Sequence, residues 1–121
     1  MTDPHSGSCH CGAVRFEVKL EGASISEGIY RCNCTLCRKK GIVMKPMPAE
    51  AFALVAGQES LSVYQWNKNI AAHYFCKTCG VYTHHRRRRD PSQISVNFEC
   101  LEGVETPSAE SIGLANGAEH E

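Results

Sequence analysis

Of the eight cysteines in this chain, all but Cys100 fall into three tight clusters, and no other feature limits the fold as strongly. Cys9-His10-Cys11 comes first, Cys32-Asn33-Cys34-Thr35-Leu36-Cys37 second, and Cys76-Lys77-Thr78-Cys79 third. Thiolates close in sequence converge on one soft cation at little loop-closure cost. Disulfides are a poor account of such density. The N-terminal stretch Met1-Thr2-Asp3-Pro4-His5 lacks a basic region followed by an apolar one, so no secretory signal is read there. The expectation is a cytoplasmic, reducing setting, where clustered cysteines favour metal.

Seven clustered ligands divide as four plus three. If Cys32, Cys34 and Cys37 hold one ion by themselves, Cys9, Cys11, Cys76 and Cys79 remain for a closed, structural zinc site. Spacing does not exclude the swapped arrangement, in which Cys9 and Cys11 join the triplet. It also leaves two readings of the triplet. One is a catalytic zinc with an open position; the other is a structural zinc completed by a fourth residue from elsewhere.

A chain of 121 residues points to one domain, able to bury a core and helped by metal staples. Lysine plus arginine is 13 and aspartate plus glutamate is 13, so bulk charge announces neither a nucleic-acid nor a membrane partner. No apolar run approaches the roughly 18 residues of a membrane span.

Patterning predicts a mostly β domain. Val14, Phe16, Val18 and Leu20 alternate with charged residues, a half-buried strand. Ile29-Tyr30-Arg31 reads as a short strand delivering Cys32. Arg38 to Gly41 reads as a helical turn ended by glycine. Pro46 and Pro48 are expected to break any regular run, with one helical turn after Pro48. Residues 53–56, 61–66, 70–75, 81–85 (continued by Arg86 to Arg89) and 94–101 read as further strands, those around Cys76-x-x-Cys79-Gly80 forming a zinc knuckle. Residues 1–7 read as a loose end and 102–121 as a polar surface segment. Cys100 is expected to pack in the core.

The ordered set of motifs resembles the glutathione-dependent formaldehyde-activating enzyme family, which includes centromere protein V. The resemblance rests on Gly7-Ser8-Cys9-His10-Cys11-Gly12-Ala13-Val14-Arg15-Phe16, on Cys32-Asn33-Cys34-Thr35-Leu36-Cys37-Arg38-Lys39 and on His73-Tyr74-Phe75-Cys76-Lys77-Thr78-Cys79-Gly80-Val81. Arg88-Arg89-Asp90-Pro91 and Val96-Asn97-Phe98-Glu99-Cys100-Leu101 follow in the family's order, so the match covers about residues 5 to 104 of a single domain 1–121. It implies the β-tent fold of Mss4-like proteins, small antiparallel sheets pinned by two zinc ions. It implies a structural zinc on Cys9, Cys11, Cys76 and Cys79, and a catalytic one on Cys32, Cys34 and Cys37. That is the division reached by counting, and it favours an open second site.

The activity the resemblance implies is a carbon–sulfur lyase type of reaction, joining glutathione to formaldehyde or a related thiol to an aldehyde. A non-catalytic glutathione or thiol carrier is the alternative, with an interaction domain a third reading and an iron–sulfur cluster in the triplet a fourth. Three thiolates leave a zinc ion with about one net negative charge, which favours holding a thiolate over activating water. Arg88, from the run Arg86 to Arg89, is the candidate contact for an anionic ligand. His84 and His85 are expected to be ordinary strand residues. Asn33, Thr35 and Leu36 are expected to shape the surroundings of the open position.

Overall fold

The computed structural model describes residues 4–20, 24–66, 70–87 and 90–120. Among them the chain is mostly β, as patterning predicts. Three short strands, β1 (His5–Ser8), β2 (Arg15–Val18) and, farther along, β5 (Phe52–Ala56), form an antiparallel sheet in the order β1-β2-β5. The other sheet is built from β3 (Tyr30–Cys32), β4 (Met44–Pro48), β6 (Leu61–Tyr64), β7 (Ala72–Cys76), β8 (Tyr82–Arg86), β9 (Gln93–Asn97) and β10 (Gly113–Ala115). Its order is β10-β3-β4-β9-β8-β7-β6, antiparallel except for β10 on β3. A six-residue helix, α1 (Thr35–Lys40), follows β3.

The core lies between the two sheets. Phe16 and Val18 of β2 meet Met47 of β4, Val96 of β9 and Phe98, with Ile29, Val43 and Leu101 closing the edges. The expected alternation in β2 is seen directly: Phe16 and Val18 are buried, Arg15 and Glu17 exposed. Burying one such side chain contributes about 1.5–3 kcal/mol, so this layer is the main apolar adhesive between the sheets. Cys100 packs beside it, as expected, on a short 3-10 turn rather than on an extended strand.

Two expectations need correction. The first concerns residues 1–7. His5–Ser8 is a strand paired along β2, and Gly7 lies over the Phe16 ring, where a Cβ would come within 2.4 Å of a ring carbon. Polar residues pair here because the partner supplies the buried face. The second concerns Pro46 and Pro48, which sit inside β4 opposite Ser95 and Gln93. Val43 O accepts from Phe98 N, which puts the odd-numbered backbone groups of β4 toward β9. The prolines then point to the side where β3, paired only through Tyr30 and Met44, has already ended. The C-terminal segment stays largely exposed, as expected, and within it β10 runs alongside β3 and is followed by a 3-10 turn, Gly117–His120.

Candidate functional site

Two turns of the same design build the first cysteine cluster. Cys9 N bonds Val14 O and Gly12 N bonds Cys9 O; Cys76 N bonds Val81 O and Gly80 N bonds Cys76 O. Gly12 and Gly80 take positive φ, 83° and 79°, which lets each turn fold its amides onto sulfur. Val14 N donates to Cys9 Sγ at 3.3 Å. The four sulfurs of Cys9, Cys11, Cys76 and Cys79 lie within 4.8 Å of one another. Cys9 to Cys11 is 3.6 Å and Cys11 to Cys76 is 3.7 Å. Zinc–sulfur bonds of about 2.3 Å around a tetrahedral ion call for edges of roughly 3.8 Å. The donor set and its spacing therefore fit one closed metal site.

The neighbours in this cluster push its thiols in opposite directions. Amide donation from Cys11, then from Val81, lowers Cys79 to about 6. Amide donation from Cys79 comes first in lowering Cys76. At Cys11 the Ala13 amide pulls down, but the Cys9 thiol, burial and the other two sulfurs outweigh it and raise the group to about 11. One cluster holding both anions and reluctant thiols is what crowded like charges produce before a cation arrives.

Cys32, Cys34 and Cys37 gather separately, also within 4.8 Å, and among the described residues no fourth His, Cys, Asp or Glu atom joins them. The swapped arrangement is thus not the one formed. Cys32 ends β3, and Cys34 is the N-cap of α1, its sulfur accepting from Cys37 N at 3.3 Å. One turn of helix then brings Cys37 back over Cys34. Gly41, at φ 65°, ends the helix as expected, with its amide on Cys37 O. Bonds from the Cys34 and Cys37 thiols hold Cys32 far below the ordinary thiol range, with Cys34 and Gly117 amides adding to the effect. Cys37 is pushed up, first by Cys32. Cys34 is raised as well, first by Cys32.

The face of the long sheet turned away from the core carries a buried polar layer. Register places His73, His85 and Ser95 side by side across β7, β8 and β9. Tyr30 Oη and Ser95 Oγ are 2.8 Å apart, and His73 Nδ1 and Tyr82 Oη 2.9 Å. The His73 and His85 rings stack at 5.1 Å. Lys40, from α1, stands 4.3 Å over the Tyr82 ring, and the Arg87 guanidinium 5.3 Å over Tyr30. Helix α1 carries both Cys37 and Lys40, and β3 both Tyr30 and Cys32, so the layer and the triplet form one neighbourhood. Burial, then Lys40, lowers His73 to about 4; burial raises Tyr82 and lowers Lys40. His85 Nδ1 is buried without a hydrogen-bond partner among the described residues.

Sequence reasoning missed Tyr30, Lys40, Tyr82 and Gly117. A signal did exist: Tyr30, Ser95 and Asn97 are uncharged polar residues at strand positions where a solvent face would carry charge. His84 and His85 lie in strand β8, as expected, and both are buried. Of the arginine run, Arg86 donates to Ile70 O and Arg87 to Gln93 Oε1 at 2.7 Å; Arg88 lies outside the described residues. Asn33, expected beside the site, bonds the C-terminal segment. No helix among the described residues is long and apolar enough to cross a membrane.

Comparison with known proteins agrees with this geometry. The family model described as "Glutathione-dependent formaldehyde-activating enzyme" matches residues 4–112. A Halomonas elongata protein is 37% identical over 84 residues, 60% of this chain and 50% of its own length. A Penicillium rubens protein is 31% identical over 110 residues, 82% of this chain and 56% of its own length. Both are named "Putative glutathione-dependent formaldehyde-activating enzyme", and this chain spans about half the length of each. A crystal structure of a Rhodobacter sphaeroides protein superposes with a TM-score of 0.82 at 39% identity, over 91% of this chain and 99% of that one.

Proposed function

The chain belongs to the glutathione-dependent formaldehyde-activating enzyme family, and from that premise we propose that it joins a small thiol, glutathione in the first instance, to formaldehyde or a related aldehyde. The observation that carries this reading is the contrast between the clusters: four sulfurs converge at one, three at the other. Cys9, Cys11, Cys76 and Cys79 would hold a structural zinc, and Cys32, Cys34 and Cys37 a second zinc with a position to spare. When bound, the second ion supplies a positive centre that keeps a thiol ionised near neutral pH.

The condensation forms one carbon–sulfur bond, opens the carbonyl π bond and moves the thiol proton to the former carbonyl oxygen. No other reactant is needed. In this reading the residues of the chain order the surroundings. Tyr82 Oη and His73 Nδ1 hold a shared proton, and the Lys40 ammonium offsets negative charge gathered at the sulfurs. Buried His73, Tyr82, His85 and Ser95 keep bulk water off the sheet side of the neighbourhood. A reducing compartment suits the eight cysteines, all free.

The test is the rate of S-hydroxymethylglutathione formation by zinc-loaded protein, measured by exchange spectroscopy against the spontaneous reaction. An acceleration that Cys34→Ser abolishes supports the proposal. A loaded protein that matches the spontaneous rate overturns it; calorimetric binding of glutathione in that case would leave the chain a thiol carrier.

A further inference from the structure

We propose that residues 113–118 form a strap that positions Cys32 in the triplet, with Gly117 as its point of contact. The proposal rests on reading the triplet as a metal centre. It concerns residues beyond the 4–112 span that the family model matches.

The strap is fastened at several points. β10 runs parallel to β3, pairing Gly113 with Tyr30, Leu114 with Arg31 and Ala115 with Cys32. Asn33, inside the triplet loop, then binds it three times. Its backbone N–H donates to Ala115 O at 3.0 Å, its Nδ2 donates to Asn116 Oδ1 at 2.9 Å, and its Oδ1 accepts from Ala118 N at 2.9 Å. Between these bonds Gly117 lies against Cys32. A Cβ at position 117 would lie 2.5 Å from Cys32 Sγ and 3.1 Å from Cys34 Cβ.

That contact has a selective consequence. A free Cys32 side chain can rotate away from an added methyl group. A Cys32 that ligates an ion cannot, because its sulfur is held by the metal. An alanine at 117 therefore costs most in the loaded state. Gly117 is in this sense a positioning residue acting through Cys32.

Cobalt(II) substitution tests the proposal without any assay of activity. The wild-type chain should take up two cobalt ions. Gly117→Ala should keep the cobalt of the four-sulfur site, which also reports an intact fold. It should release the other ion to a chelator at least about tenfold faster, with a shifted sulfur-to-cobalt charge-transfer band. Asn116→Ala, which loses one bond, should speed release by about two- to threefold. Two ions bound with release and spectrum unchanged in Gly117→Ala overturn the strap and leave the metal reading standing. Should Gly117→Ala fail to fold, unchanged release from Asn116→Ala overturns it. Uptake of a single ion by the wild-type chain overturns the metal reading and the strap with it.

Discussion

Gly57 and Cys34 carry opposite lessons about single residues. Gly57 has φ 90°, and a Cβ there would lie 2.0 Å from Ala13 O and 2.8 Å from Val14 Cα. Neither neighbour is a flexible side-chain end; both belong to the turn that wraps Cys9. Gly57→Ala should therefore cost about 3 kcal/mol or more, read from urea denaturation midpoints. Cys34 allows a cleaner experiment. Its sulfur caps α1, and serine is itself a favoured N-cap. Cys34→Ser thus removes a thiolate while keeping the helix start, which is why it suits the activity test. At this scale the cysteines were legible because ligand chemistry is local. Gly57 was legible only as a turn residue, since the group it must avoid lies more than forty positions earlier in the chain.

Among elements, β8 decides most. The register against the facing strand shifts between Tyr74 and Phe75: Tyr74 pairs with His84 and Phe75 with Tyr82, which leaves Thr83 of β8 as the extra residue of a bulge. Tyr82 thereby faces His73 and His85, while His84 packs on Phe16 and Phe52 in the core. Burial lowers His84 to about 4, and burial followed by His73, Arg87 and His84 lowers His85 to about 3. The unfolded chain takes up these protons near the ordinary 6.5, the native chain only below about 4. Stability is therefore fully present above pH 6.5 and falls as the pH drops toward 4, by up to about 1.4 kcal/mol per pH unit for each histidine. His84→Phe, which keeps a ring in the core, should reduce the loss between pH 7.5 and 5.5 by roughly 1 kcal/mol. Urea midpoints of both proteins at the two pH values measure this; equal losses would contradict it. Strand positions were readable from alternation, but a bulge is a disagreement between two strands and has no signature in either alone.

At the scale of the molecule, the four-sulfur cluster is a fastening between sheets. Cys9 and Cys11 join β1 to β2 of the short sheet, and Cys76 and Cys79 join β7 to β8 of the long one. The apolar core closes the same interface farther along. The triplet, by contrast, lies between β3 and α1 and fastens no second sheet. Stepwise chelation of the zinc-loaded protein should separate these roles. The first equivalent removed should leave the thermal midpoint within about 5 °C. The second should lower it by 15 °C or more, about the effect of losing several kcal/mol in a domain this size. Circular dichroism in the aromatic region, followed with metal content, checks the order; a large drop with the first ion would reverse the assignment.

The chain by itself determined the number and chemistry of the sulfur clusters, the period of its core strands and the family to which it belongs. All of these rest on neighbours in sequence: ligand spacing, alternation, glycine after a thiolate. Only the tertiary structure decided which pair of cysteines completes the four, that His5–Ser8 and two prolines join sheets, and that Gly117 closes on Cys32. Each of those is set by a partner far away in the chain, and a polar or flexible segment shows nothing of its partner until the backbone groups of both have been paired.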